Sequence, residues 1–244
     1  MRLPILVTAA LVLAATDVRA DDAQAQLAQV DEALNQAKDQ FLDYEMVDIK
    51  DGKERTLRLE VSIKGEKRLT AFTAPADLRG TKVLIVSPTQ MYIYLPAYKK
   101  VRRIASHVTE QGFMGTTYSN DDLALTRYAP LYAAKVVSSD EEKAKLELTK
   151  KSGAEAPYAR IVMTVEKKRA LPLEMEYFDD AGKKVKTETR SDYTCEGKVC
   201  APEVIAMRDH TDGDHVSKLV RKKWKVNGGL SDRLFTKRNL ARAR

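Results

Sequence analysis

The chain has 244 residues, of which 43% are hydrophobic, and a formal net charge of +7 at pH 7. This length suits one larger all-β domain or two small ones, and it is enough for a sizeable core. After the first 20 residues no apolar stretch approaches the ~20 residues that a membrane-spanning helix needs. The basic excess is spread out, with a denser tail over residues 233–244. We expect most of it on solvated faces, with an anionic membrane surface or an acidic partner as the alternative.

Residues 1–20 have the order of a cleavable secretory signal. Arg2 supplies the positive start, and residues 3–15 are nearly all apolar. Val18 and Ala20 place small or compact residues at the two positions that a signal peptidase reads. A polar segment begins at Asp21, which argues against the alternative of a buried N-terminal helix. No cysteine near this point offers a lipid anchor. We therefore expect cleavage after Ala20 and a soluble exported product, residues 21–244, that forms a single domain.

The mature chain is predicted to begin with a helix. Asp21 and Asp22 carry negative charge where a helix N-terminus favours it. Apolar residues then recur every three or four positions, which places them on one face. These residues are Leu27, Val30, Leu34, Ala37 and Phe41.

From about Glu45 the apolar period becomes two, which is typical of half-buried strands. The clearest example is the alternation of Leu57, Leu59, Val61 and Ile63 with polar residues. Further strands are predicted at Arg68–Ala74, Lys82–Ser87, Gln90–Leu95, Lys145–Thr149, Ala159–Val165, Pro172–Phe178, Lys183–Tyr193, Ala201–His210 and His215–Lys225.

Turn sequences separate many of these strands and predict an antiparallel meander. They are Asp51-Gly52, Asp180-Ala181-Gly182, Glu196-Gly197 and Asp212-Gly213. Residues 111–134 differ, because polar and glycine residues precede a short apolar run. We expect a loop and a short helix there, capped near Asn120 or Asp121, that covers a concave face of the sheet.

Cys195 and Cys200 are the two cysteines of the chain. In an oxidising compartment a pair this close is expected to form a small disulfide loop. A zinc site would need two more ligands, and a redox motif would have the two thiols closer together. The pair is therefore interpreted as structural.

The aromatic stretch Gln90–Leu95 has two apolar faces. Tyr92 and Tyr94 share one face, whereas Met91, Ile93 and Leu95 share the other. Such a strand is either buried on both sides or has one face lining a cavity for an apolar ligand. The pattern leaves both alternatives open. The basic residues that follow, Lys99, Lys100, Arg102 and Arg103, either meet anionic headgroups at a cavity rim or are simply exposed.

No motif of a nucleophile elbow, phosphate loop, dinucleotide site or zinc protease occurs, so we do not expect an enzyme. A hydrolase or metalloenzyme is the weaker alternative. The segment 209–215 combines His210 and His215 with three aspartates, but it surrounds Asp212-Gly213 between two alternating runs. We interpret it as an exposed hairpin tip rather than a metal site. We expect no metal, cofactor or nucleic-acid partner.

Six stretches in order resemble the outer-membrane lipoprotein-sorting protein family, which is related to the LolA-type periplasmic carriers. They are residues 72–81, 91–96, 99–104, 112–116, 118–119 and 121–123. Two departures are visible, because the family leads us to expect an acidic residue and a phenylalanine where Thr117 and Tyr118 stand. Tyr118 keeps the aromatic character, whereas Thr117 lacks the charge. No position is matched to the lid arginine of the better-known carriers.

The resemblance implies a mainly β fold, a strongly curved antiparallel sheet or incomplete β-barrel covered by an N-terminal helix and an inserted loop-helix lid. It implies a periplasmic carrier of acylated lipoprotein or lipid, with an inner-membrane RND-type transporter and an outer-membrane acceptor as partners. An adaptor with a filled core and no lipid cavity is the alternative. The residues expected to line the cavity are Leu57, Leu59, Val61, Phe72, Met91, Tyr92, Ile93, Tyr94, Leu95, Phe113, Met114 and Trp224.

Overall fold

The structure is a computed structural model that describes residues 18–105, 112–213 and 215–242, without the side chains of residues 18–21. The expected signal over residues 1–17 lies outside the described residues, and the expected cleavage point after Ala20 falls in the first turn of helix α1. No helix of the described part is both long and apolar enough to cross a membrane.

Helix α1 spans Val18–Leu34, so the predicted helix ends earlier than its apolar spacing indicated. The side-chain amide of Asn35 donates to the Asp31 carbonyl at 2.7 Å and satisfies one of the free carbonyls at the helix end. Ala37 and Phe41 match the helical spacing by coincidence, because strand β1 already begins at Gln40. The inclusion of these two residues in the helix was wrong.

In the described residues thirteen strands follow α1, with one short α-helix among them. They are β1 Gln40–Lys50, β2 Lys53–Lys64, β3 Lys67–Ala74, β4 Lys82–Ser87, β5 Gln90–Leu95, β6 Lys100–Ile104, β7 Tyr132–Ser139, β8 Lys143–Lys150, β9 Arg160–Glu166, β10 Leu171–Phe178, β11 Lys184–Glu196, β12 Val199–Asp209 and β13 Val216–Val226. Helix α2 spans Asn120–Ala124, and α3 spans Lys237–Leu240. The strands β1, β6 and β7 were not predicted as separate elements.

The Asp-Gly turns act as predicted. Asp51 and Gly52 both adopt positive φ, 51° and 71°, which is the backbone of a two-residue type I′ hairpin turn. Glycine tolerates this conformation without steric cost, and aspartate tolerates it better than most residues. The turn aligns Lys50 with Lys53 and sets the register of the whole β1–β2 pair.

All strands belong to one antiparallel sheet in the order β6-β5-β4-β3-β2-β1-β13-β12-β11-β10-β9-β8-β7. Neighbours in sequence are neighbours in the sheet, as predicted, with two exceptions: β6 and β7 lie at opposite edges, and the first strand pairs with the last. Register pairs run from Gln40–Val226 to Ile49–Val216 along this central contact. The two free edges are therefore β6 and β7, and the sheet does not close into a barrel.

Side chains from both halves of the sheet share one core, which shows that the sheet curls around a common interior. Met91 of β5 and Leu146 of β8 belong to the same buried cluster, and Leu27 and Val30 of α1 fill it from inside. A second, smaller cluster lies on the opposite face. There the C-terminal segment places Phe235 and Leu240 against Leu69 and Leu84. The open, strongly curved sheet with few helices confirms the predicted fold class.

Candidate functional site

The segment that joins the two edge strands covers the inner face of the sheet. We call residues 112–131 the connector. It must run from β6 at one edge to β7 at the other, and it does so across the interior. Phe113, Tyr118 and Tyr128 of the connector belong to the inner core, and the Phe113 ring lies 5.5 Å from the ring of Phe72. The inserted loop-helix lid was predicted correctly in place and type.

Helix α2 begins one residue earlier than predicted. Its N-cap is Ser119, whose hydroxyl accepts from the Asp122 amide at 3.1 Å, while Asp122 accepts from the Ser119 amide at 2.7 Å. This reciprocal pair is a capping box, with aspartate in the place more often held by glutamate. It orients Asp122 toward the sheet.

Buried polar contacts hold the connector against the sheet. Asp122 forms an ion pair with Lys186 of β11 at 2.5 Å, with both side chains largely buried, and accepts a short hydrogen bond from the Tyr158 hydroxyl. Arg55 of β2 donates to the Met114 carbonyl at 2.8 Å. Each contact satisfies a group that would otherwise be costly to bury.

Thr117 has a polar role despite lacking the acidic group expected at its position. Its amide donates to the Ser217 hydroxyl at 3.0 Å, and its own hydroxyl donates to the Met207 carbonyl at 3.2 Å. Ser217 in turn donates to Asp48 at 2.5 Å. The connector is thus tied to β12 and β13 by a buried hydrogen-bond chain.

Between the connector and the inner face lies a cavity of about 200 Å³, which we call the inner cavity. Alternate residues of β1 and β2 form one part of its wall, because the register places Leu42 opposite Val61 and Tyr44 opposite Leu59. Period-two alternation therefore directs one apolar row of each strand into the same space. Leu123 and Leu125 of the connector form the opposite wall.

One end of the inner cavity is polar. Arg68 of β3 and Glu188 and Arg190 of β11 line it, together with Tyr44, Tyr118 and Tyr128. Arg190 Nε donates to Glu188 Oε1 at 2.5 Å, and the Tyr177 hydroxyl donates to the other carboxylate oxygen at 3.2 Å. Each carboxylate oxygen of Glu188 therefore already accepts a hydrogen bond from a neighbouring side chain.

Among the described residues, Arg68 lacks a comparable set of hydrogen-bond partners. Its Nε is buried and has no hydrogen-bond partner in the described part of the chain. Burial, followed by the nearby positive charge of Arg190, lowers the pKa of Arg68 from its usual value. Two guanidinium groups thus share this end of the cavity with one carboxylate.

The surrounding tyrosines remain protonated over a wide pH range. Burial raises the pKa of Tyr128 to about 12, and burial together with the charge of Glu188 raises the pKa of Tyr118 well above its usual value. The Tyr118 hydroxyl is buried and, among the described residues, has no hydrogen-bond partner. A protonated hydroxyl can donate as well as accept.

A second pocket of about 490 Å³ adjoins the inner cavity, and we call it the outer pocket. Ile85, Leu125 and Thr126 belong to the lining of both. Its rim is charged, and Arg127 of the connector reaches Glu66 of the β2–β3 turn at 3.9 Å. The connector residues 125–127 therefore stand between the inner cavity and a more open space.

The structure brings together part of the set of residues expected to line a cavity. Leu59, Val61 and Phe113 line the inner cavity. Leu57, Phe72 and Met91 lie in the core that surrounds it, with Ile93, Met114 and Trp224 packed against that core. Leu95 is half-buried at the end of β5 and belongs to neither lining.

Tyr92 and Tyr94 point to the other side of the sheet, so their placement in the cavity is corrected. Both pack against the outer cluster, where Lys237 lies 5.4 Å from the Tyr92 ring and Lys82 lies 5.9 Å from the Tyr94 ring. Strand alternation separated the two faces correctly but did not identify the inner one. Met91 and Ile93 hold the inner face instead.

The basic residues after β5 do not line either cavity. Lys100, Arg102 and Arg103 are exposed on β6, and Lys99 is exposed just before it. Since β6 is a free edge, its charges discourage pairing with another strand.

The hairpin tip near Asp212-Gly213 was predicted correctly, but the exposure of every residue in it was not. His215 is 3% exposed and lies between two carboxylates, 3.0 Å from Asp48 and 3.1 Å from Asp212. Within the described residues no group of three or more potential metal ligands converges. Asp214 lies outside the described residues.

The disulfide joins Cys195 and Cys200, which are paired residues of the β11–β12 hairpin. The two-residue turn at Gly197 and Lys198 lies just beyond it. Cys200 also contributes to the lining of the inner cavity.

The charged residues at the polar end of the cavity were missed because charged side chains are not expected to contact an apolar ligand. Strand parity contained a signal, since Arg68 shares its face with Thr70 and Phe72, and Phe72 was expected inside. Glu188 and Arg190 likewise share one face of β11. A charged side chain on a face already predicted to be internal marks a functional candidate.

Three solved structures share the open, curled antiparallel sheet over about nine-tenths of this chain. A DUF1329 family protein from Desulfovibrio piger matches at 24% identity and a TM-score of 0.84, covering 91% of this chain and 99% of its own. A domain from Vibrio parahaemolyticus, described as an outer membrane lipoprotein-sorting protein, matches at 25% identity and 0.82, covering 91% and 100%.

A LolA superfamily protein from Nitrosomonas europaea matches at 22% identity and a TM-score of 0.73, covering 88% of this chain and 98% of its own. Residues 64–242 match the model of the DUF1329-like family, whose description is "Uncharacterized protein". The chain belongs to this family. A search among curated proteins finds no match.

Proposed function

We propose that the protein is a periplasmic carrier that holds an acyl chain of a lipoprotein or lipid and moves it between membranes. The observation that carries this proposal is the inner cavity. It lies between the inner face of the sheet and the connector, and apolar side chains of both line it. The similarity to a lipoprotein-sorting domain supports the same class of ligand.

The physical basis is burial of apolar surface. Removing it from water stabilises a complex by about 25 cal/mol per Å², so a chain of C16 scale can be held without covalent chemistry. The inner cavity is smaller than the ~300–1,000 Å³ of a typical ligand site. Displacement of residues 125–127 would join it to the outer pocket, and this motion is part of the proposal.

The proposed role is non-catalytic. The adaptor with a filled core is less well supported, because a cavity is present where that hypothesis required packed side chains. An RND-type transporter as donor and an outer-membrane acceptor remain part of the proposal, as does export by the N-terminal signal.

Native mass spectrometry of the protein purified from the periplasm of its producing cells tests the carrier role. We expect a co-purifying acyl or lipid mass. Val61→Trp, which places an indole in the inner cavity, should remove that mass. Val86→Trp is the matched control, since Val86 packs against the outer cluster on the same sheet.

The carrier proposal fails if no acyl mass accompanies the wild-type protein and if neither palmitate nor an uncharged naphthylamine dye binds to it. It also fails if Val61→Trp and Val86→Trp retain ligand equally. Both variants should first show cooperative thermal unfolding, so that loss of ligand reflects the cavity.

A further inference from the structure

The polar end of the inner cavity contains two unused hydrogen-bond donors. The buried Nε of Arg68 and the buried hydroxyl of Tyr118 have no partners among the described residues. Both side chains line the same cavity, and both interact electrostatically with Tyr44, Glu188 and Arg190. Unpartnered buried donors are rare in folded proteins, and each calls for an explanation.

Structural ion pairing does not explain Arg68. The other buried charges near the interior are matched, since Asp122 pairs with Lys186 and Arg190 pairs with Glu188. Arg68 instead lies near Arg190, whose like charge lowers its pKa together with burial. A guanidinium whose buried Nε has no partner in the described residues and that lies beside a second cation is poorly placed for stability and well placed for an anion.

The residues around Arg68 and Tyr118 indicate the chemistry of the rest of the ligand. Leu42, Leu59 and Val61 of the sheet and Leu123 and Leu125 of the connector add apolar lining to the same cavity. A ligand that satisfies both parts has an anionic group at one end and an apolar chain behind it.

We propose that Arg68, with Tyr118, binds the anionic headgroup of a single-chain amphiphile whose acyl chain occupies the inner cavity. This inference rests on the proposed carrier function and narrows its ligand class to one that carries a carboxylate or phosphate. An ester-linked acyl chain presents a neutral carbonyl at that position and leaves the positive charge uncompensated.

The contact is a charge-assisted hydrogen bond. Arg68 Nε–H donates to an oxygen of the headgroup, and the Tyr118 hydroxyl donates to the same group. Such bonds are roughly twice as strong as neutral ones, and they are stronger still where water is excluded. Glu188 accepts its hydrogen bonds from Arg190 and Tyr177, so it offsets the charge of Arg68 only from a distance.

The test is displacement of an uncharged dye, N-phenylnaphthylamine, from the full mature protein. Palmitate should displace it at a concentration at least about tenfold lower than methyl palmitate, because hydrogen bonds to charged groups contribute that much. In Arg68→Met the ratio should fall to near one. Arg68→Lys keeps the charge and should retain a preference for palmitate.

Arg58→Met is the matched control, since Arg58 lies on the neighbouring strand with its side chain 64% exposed. It should show the wild-type ratio. Lysophosphatidate with the same acyl chain distinguishes a phosphate headgroup from a carboxylate, and a stronger effect of either one supports an anionic subsite. Acetate and inorganic phosphate should not displace the dye, because they lack the chain.

Equal displacement by palmitate and methyl palmitate would overturn this inference while leaving the carrier function intact. An unchanged ratio in Arg68→Met would do the same, as would displacement by acetate. Absence of any binding by palmitate, its ester and the dye would instead count against the carrier function itself. The two failures are therefore distinguishable.

Discussion

At the scale of single residues, Arg68 is expected to lower the stability of the ligand-free protein while it provides the proposed anion site. Its neighbours on β3, Thr70 and Phe72, share its face and suit a core. A guanidinium there loses hydration, and the charge of Arg190 acts on it more strongly than that of Glu188. Residues that break the local pattern in this way occur where function requires them.

Arg68→Met is expected to stabilise the ligand-free protein. Methionine keeps similar length, fills the same space and removes a guanidinium whose buried Nε has no partner in the part of the chain described. We expect a gain of about 1–2 kcal/mol in the free energy of unfolding, or a Tm increase of a few degrees. Thermal unfolding followed by circular dichroism measures it. A large decrease in Tm would show that Arg68 is a structural residue after all.

The buried tyrosines predict instability at alkaline pH. Burial raises the pKa of Tyr128 to about 12, whereas an unfolded tyrosine ionises near 10. The neutral hydroxyl therefore contributes stability that is complete below pH ~10 and is lost as pH rises toward 12.

Tyr128→Phe should reduce the alkaline loss of stability by about 2 kcal/mol at pH 12. Chemical denaturation between pH 9 and pH 12 gives the slope for each variant. Tyr98→Phe removes a hydroxyl from a side chain that is 63% exposed and serves as the control. Parallel pH profiles for wild type and Tyr128→Phe would contradict the prediction.

At the scale of elements, several polar contacts hold the connector, and one of them is a well-buried ion pair. The Asp122–Lys186 pair has side-chain exposures of 4% and 12%, so it lies almost out of water. Breaking such a pair costs more than removing it whole, because the remaining charge is left buried. The pair thus helps to hold the connector against the inner face of the sheet.

Lys186→Met should destabilise the protein by roughly 3–5 kcal/mol, since it leaves the Asp122 carboxylate without its cation. The double variant Asp122→Asn, Lys186→Met should recover part of this loss. Denaturant unfolding gives the coupling free energy, and hydrogen exchange of residues 119–125 should report faster opening of the connector.

Lys184→Met tests whether the loss of stability depends on the burial of the ion pair. Lys184 lies on the same strand and pairs with Glu176, but its side chain is 41% exposed. An exposed pair contributes only about 0–1 kcal/mol. A similar loss in both lysine variants would mean that the buried pair has no special role in holding the connector.

At the scale of the whole molecule, the sheet separates two cores with different tasks. The inner core surrounds the cavity and includes the connector, whereas the outer cluster fixes the C-terminal segment to β3, β4 and β5. Changes on the two faces should therefore have different consequences for binding even where their cost in stability is similar.

Phe72→Ala and Phe235→Ala form a matched pair, because the two side chains are 1% and 3% exposed. Each should cost about 3–5 kcal/mol. Binding of the naphthylamine dye should weaken in Phe72→Ala, whose ring supports Phe113 of the connector. It should be retained in Phe235→Ala. Equal loss of binding in both would show that the faces are not independent.

Much of the sheet could be predicted from local pattern. The strands β4 and β5 have the predicted bounds, and the Asp51-Gly52 turn sets its hairpin through backbone conformation alone. Strand β1 was missed because its beginning continues the helical spacing of α1. The site was harder, since its polar end combines β3, β11 and the connector, which lie far apart in the chain.

The sequence by itself determined the alternation of faces, the hairpin registers, the cysteine pairing and the expectation of export. These depend on neighbouring residues, whose geometry the chain imposes locally. The tertiary structure alone decided that β1 pairs with β13, which leaves β6 and β7 as edges and sends the connector across the interior. It also decided that Arg68 faces that interior while Tyr92 and Tyr94 do not. Alternation within a strand assigns residues to two faces, but only packing between distant strands decides which face is enclosed.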